Sequence, residues 1–76
     1  MFSKEIFGQR LKEIRKQNHE TQSDLGEVLS LNKSRISEIE NGSNSTTLEK
    51  AAKICEHYNV SSDYLLGLVD EQKSIK

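Results

Sequence analysis

The chain has 76 residues, 30% of them charged, with a net charge of −1, one cysteine and no proline. A chain this short makes one domain. Neither a disulfide nor a metal holds it together, because Cys55 has no second cysteine and no His/Cys group has ligand spacing. No apolar run approaches a membrane span or a signal segment, so the lone thiol points to a reducing cytoplasm.

The absence of proline and the scatter of β-branched residues predict an all-α chain. Ser3 caps a first helix to about Asn18, with Phe7, Leu11 and Ile14 as its apolar stripe and Ile6 at the edge. Its polar remainder is a solvated face, from which Arg10 is best placed to reach a phosphate.

Thr21 opens a second helix through the capping box Thr21-Gln22-Ser23-Asp24, and Leu25 and Leu29 face the core. Gly26 costs this helix roughly 1 kcal/mol relative to alanine. A neighbouring helix passing too close for a side chain is the simplest reason for it. Val28 falls on the outer side as a partly covered residue.

Ser30-Leu31-Asn32 forms a turn in which Leu31 plugs the core and Asn32 caps a third helix. At about 100° per residue, Ile36 and Ile39 set that helix's inward direction. Ser34 and Glu38 then point outward, Arg35 and Ser37 flank them, and Lys33 projects from the first turn. Asn41-Gly42 ends the helix. A short helix held proud of its scaffold with a polar outer face suits the DNA major groove.

Thr46 and Glu49 suggest a second capping box opening a fourth helix to about Tyr58, with Leu48, Ala52 (or Ala51), Cys55 and Tyr58 as its stripe. Ser61 caps a short fifth helix with Tyr64, Leu65 and Leu66, closed by Gly67. Leu68 and Val69 remain apolar, and a charged tail from Asp70 to Lys76 is expected to be disordered. One domain over residues 1–69 and a tail over 70–76 follow.

In order along the chain stand R-L-K-E-I-R at Arg10–Arg15, T-Q-S-D-L at Thr21–Leu25, I-S-E-I-E-N-G at Ile36–Gly42, L-E-K-A-A-K-I at Leu48–Ile54 and V-S-S-D-Y-L-L-G at Val60–Gly67. With these pieces the chain resembles the helix-turn-helix domains of the lambda-type phage repressor and Cro family, from Phe7 to Gly67. The resemblance implies a compact five-helix fold and sequence-specific binding of double-stranded DNA.

It also implies roles. Gln22 would bind a phosphate with the amides at its helix start. Lys33, Ser34 and Glu38 would touch base edges, Arg35 and Ser37 phosphates or edges, and Asn41 and the loop from Ser43 the backbone. Arg15 and Glu40 would form a buried ion pair. Where many relatives carry Lys, Arg and Pro after Gly42, this chain has Ser, Asn and Thr. Likewise His19 and Ser30 stand where glycine is usual. Glu38 can accept from a cytosine amino group or pair with Arg35 at i, i+3; the spacing favours the pair.

The leading expectation is a bacterial or phage-encoded transcriptional repressor acting as a homodimer, with Leu65, Leu68 and Val69 as candidate interface residues. The competing expectation is a protein-interaction module or antitoxin-type regulator on the same scaffold, favoured by the acidic balance. Residues 1–38 hold seven Lys/Arg against six Asp/Glu, and residues 39–76 four against six. Affinity for DNA outside a specific site should therefore be weak. No catalytic motif involves His19 or His57, no phosphate-cradling glycine loop is present, and no cofactor or metal is expected.

Overall fold

The structure is a computed structural model that describes residues 1–75. Five helices follow one another: α1 (Lys4–Gln17), α2 (Gln22–Leu29), α3 (Lys33–Glu40), α4 (Leu48–Tyr58) and α5 (Ser62–Leu65). Each starts where a side chain can satisfy an amide that has no helical partner. Ser3, Thr21, Asn32, Thr47 and Ser61 accept from Ile6, Asp24, Arg35, Lys50 and Asp63 respectively. Around α2 the box is reciprocal, since Asp24 also accepts from the Thr21 amide at 2.9 Å. Those bonds lower the Asp24 pKa.

The fourth helix begins one residue later than its sequence suggests. Thr47, not Thr46, is the cap. Leu48, expected in the core, is 87% exposed, because at the first position of the helix it reaches past the packed layer. Ala51 packs against the core while Ala52 stays exposed.

Phe7, Leu11 and Ile14 from α1 meet Leu25 and Leu29 from α2, Ile36 and Ile39 from α3, Ile54 and Cys55 from α4, and Val60, Tyr64 and Leu65. Each fully buried Leu or Ile contributes about 1.5–3 kcal/mol. Burial also pushes the Cys55 thiol pKa up, which keeps it neutral and inert. Val28 and Leu31 are half-buried against this core.

α1 packs against α3 and α5, α2 against α3 and α4, and α4 against α5. The α1–α3 crossing is tight enough that a Cβ at Gly8 would run into the carbonyls of Ile39 and Glu40. Gly26 has a different reason from the one its sequence suggests. A Cβ there would strike the Leu31 carbonyl, which belongs to the following turn and not to another helix. Its own carbonyl accepts from Leu31 N at 2.8 Å, so the glycine lets the turn close directly onto α2. His19 and Ser30 adopt the left-handed conformation, with φ of 57° each, at a strain that glycine would avoid.

Polar contacts fasten the α1–α2 junction to α4. Glu20 accepts from Tyr58 Oη at 2.7 Å, and His57 Nε2 lies 2.9 Å from the same carboxylate. Burial first, and then the bond to Glu20, raise the Tyr58 pKa well above its usual value. The folded state therefore prefers the neutral phenol. This contribution is complete below the ordinary tyrosine pKa of about 10 and is lost as pH rises beyond it. Thermal melts across that range should show a steeper alkaline loss for the native chain than for Tyr58→Phe. Equal slopes would contradict this.

The described residues after Gly67 carry no helix. The Lys73 carbonyl accepts from Ser61 N at 2.7 Å, so the segment lies back over the start of α5. Lys76, the last residue of the expected tail, lies outside the described residues. Among those described, no helix is long and apolar enough to cross a membrane.

Candidate nucleic-acid interface

Three residues, Ser30 to Asn32, turn the chain from α2 into α3. Asn32 Oδ1 accepts from Arg35 N at 2.8 Å, which sets the direction in which α3 leaves the turn. Ile36 and Ile39 are 0% and 1% exposed and Glu40 is 6% exposed. With that side buried, Lys33, Ser34 and Arg35 are exposed, and Ser37 and Glu38 are half-buried at the edge. Arg35 Nη1 lies 3.3 Å from Glu38 Oε1. Glu38 therefore holds the arginine and offsets its own charge on the outward face.

Behind the face sits the buried pair. Arg15 Nε and Nη2 donate to the two oxygens of Glu40 at 2.6 and 3.0 Å. Arg15 Nη1 reaches the Glu20 carbonyl at 2.7 Å. The Glu40 bond, the largest influence, raises the Arg15 pKa further, so the guanidinium stays charged. Gln22 joins this group, its Nε2 donating to Glu40 Oε1 at 3.1 Å. The side chain at the start of α2 is thus fixed to the end of α3. The capping box uses the amides of Thr21 and Asp24.

Asn41 and Ser43 meet in one turn after α3, Asn41 Oδ1 accepting from the Ser43 amide at 2.9 Å and its hydroxyl at 2.6 Å. Both residues are exposed. Lys50, which sequence reasoning missed, approaches the end of α2 from α4. Its ammonium donates to the Leu29 carbonyl at 3.1 Å. Nothing near Lys50 in sequence signals this, since the contact spans 21 residues.

Two expected site residues are elsewhere. Arg10 does not face the α3 side as a free cation. It stacks 4.3 Å over the Tyr64 ring and donates to the carbonyls of Tyr64 and Val69, with Asp70 at 3.7 Å. An arginine able to satisfy three groups at the end of the fold is held there. Leu65, expected at a surface left for a partner, is 1% exposed in the core, whereas Leu68 and Val69 are 68% and 39% exposed. The short α5 turns Leu65 inward with Tyr64, while Leu68 and Val69 beyond Gly67 stay outside.

A sequence model described as helix-turn-helix matches residues 11–65. The chain belongs to the helix-turn-helix family. Its arrangement is the lambda-repressor-like one, with α2 and α3 as the paired helices. The HTH-type regulator YobD of Bacillus subtilis is 35% identical over 66 residues, which cover 87% of this chain. This helix-turn-helix chain spans 59% and 47% of the lengths of the two Bacillus subtilis regulators it matches.

Among solved structures, the biofilm master regulator SinR in complex with DNA is 31% identical with a TM-score of 0.70. That match covers 79% of this chain and 97% of the other. The P22 c2 repressor in complex with a synthetic operator is 27% identical with a TM-score of 0.73, covering 79% and 91%.

Proposed function

We propose that this helix-turn-helix chain reads double-stranded DNA through α3 as a transcriptional regulator, most simply a repressor acting as a dimer on a palindromic operator. The observation that carries this reading is the division of α3. Its apolar side is spent on the core, Lys33, Ser34 and Arg35 are left exposed at its start, and Gln22 is fixed to its last residue, Glu40. The similarity to two regulators solved with DNA supports it.

Lys33 and Ser34 are assigned to base edges, with Glu38 beside them orienting Arg35. Gln22, Asn41, Ser43 and the edge residue Ser37 are assigned to the backbone. Two α3 helices about 34 Å apart would occupy successive major grooves and exclude polymerase. The place of action would be the cytoplasm of a bacterium, on chromosomal or phage-encoded operators.

Selection from a random duplex pool tests the proposal. Enriched duplexes with two symmetric half-sites are expected, and a pool that stays random would end this reading. On a selected duplex, Lys33→Ala or Ser34→Ala should change sequence preference, at roughly 1–3 kcal/mol per good contact. Gln22→Ala should instead weaken matched and mismatched sites alike. The reverse pattern would mean that another face of α3 meets DNA.

For the dimer, Leu68→Glu should lower the mass measured by sedimentation, and an unchanged mass would remove that residue from the interface. An apolar groove flanked by Phe2, Leu48, Ala51 and Leu66 favours, as a second reading, a regulator governed by a protein partner. A chain that only binds protein would retain no duplex even at low salt.

A further inference from the structure

We propose that Lys50, together with Arg35 and the hydroxyls of Ser45 and Thr46, seats one phosphate of the DNA backbone beside α3. This inference rests on the DNA-binding reading and adds a contact to it. A surface hollow is lined by Leu31, Arg35, Ser45, Thr46, Thr47 and Lys50. Two cations and three hydroxyls converge there from three stretches of chain: the outward flank of α3, the loop after it, and the first turn of α4. None of the lining residues is acidic, in a chain whose acidic side chains outnumber the basic ones.

The cations are held as well as present. The Lys50 ammonium is tethered to the Leu29 carbonyl, and that single bond leaves two of its three donors for a ligand. Lys50 is half-buried, so less freedom is lost when it binds than for a lysine waving in solvent. Arg35 commits Nη1 to Glu38 and keeps its remaining N–H groups. Hydroxyls and cations around a concavity match a tetrahedral oxyanion.

Position selects the source of that anion. Arg35 belongs both to the hollow and to the exposed face of α3. A duplex laid on that face would bring its flanking strand over Lys50. The loop from Gly42 to Thr46 holds no charged residue. A cation from α4 therefore stands where the loop itself offers none.

The experiment measures binding to a selected duplex as a function of salt for the native chain, Lys50→Gln and Lys50→Arg, with helicity and melting recorded for each. Lys50→Gln should flatten the log–log salt dependence by about 0.9, the amount for one phosphate neutralised. It should leave the order of preference among duplexes unchanged, and Lys50→Arg should keep the native slope. A folded Lys50→Gln chain with the native slope would overturn the proposal, because a lysine that only closes the end of α2 alters melting and not counter-ion release.

Should Lys50→Gln fail to fold, the native chain decides. The Lys50 ammonium resonance should shift on adding duplex, and a resonance that does not move overturns the assignment. A response to inorganic phosphate but not to duplex would give the hollow to a free anion and also overturn it. If the native chain selects no duplex at all, the DNA reading falls with it. If it selects one while Lys50 stays silent, only the seat is wrong.

Discussion

Glu40→Ala is expected to lower the unfolding free energy by about 3–5 kcal/mol, because it leaves the Arg15 guanidinium buried without its partner. Both side chains are almost completely covered, at 8% and 2% exposed. For a domain whose total stability is on the order of 5–15 kcal/mol, that is a large share. Urea denaturation would read it as a lower midpoint with a similar slope.

Function should suffer beyond folding, since Glu40 also fixes Gln22 at 3.1 Å. Under conditions where the variant remains folded, loss of Glu40 should weaken DNA binding at all sites alike. Replacing both partners by apolar residues, Arg15→Met with Glu40→Leu, should recover much of the stability but not the Gln22 contact. A single variant within about 1 kcal/mol of the native chain would show that water reaches the guanidinium and that the pair is not buried in solution.

Gly8→Val is the second expected large effect, about 3 kcal/mol or more of destabilisation. In a helix interior, replacing glycine by a residue with a side chain normally helps, by up to about 1 kcal/mol for alanine. The sign reverses here because the added Cβ meets the carbonyls of Ile39 and Glu40, and backbone cannot swing aside as a long side chain can. α1 and α3 would have to separate. That moves the outward face of α3 relative to Gln22. Gly8→Ala, with the same clash in smaller form, should fall between. If calorimetry found Gly8→Ala more stable than the native chain, the α1–α3 crossing would be looser than the structure has it.

These two predictions also mark where sequence reading ends. Gly8 stands unremarkably in an amphipathic stretch, and only the arrival of α3 makes it necessary. Gly26 is conspicuous in sequence, but its reason lies in the turn carbonyl of Leu31. The Arg15–Glu40 pair follows from the family resemblance and not from spacing, as 25 residues separate its members.

The face of α3 was legible because the periods of Ile36 and Ile39 are local. Its supports were not, because Arg10 is claimed by groups 54 and 59 residues away. Lys50 comes to the hollow beside α3 by the same kind of long-range placement.

By itself the sequence determined five helices, most of their caps, the side of α3 that stays outward and the apolar stripes of α1 and α2. All of these arise from interactions between residues three or four apart, which the chain carries wherever it folds. Tertiary structure alone decided that Leu48 is exposed and Leu65 buried, that Arg10 holds the end of the fold, and that Lys50 stands near Arg35. Those outcomes depend on which helices touch, and a pattern within one helix says which side is apolar but not what will cover it.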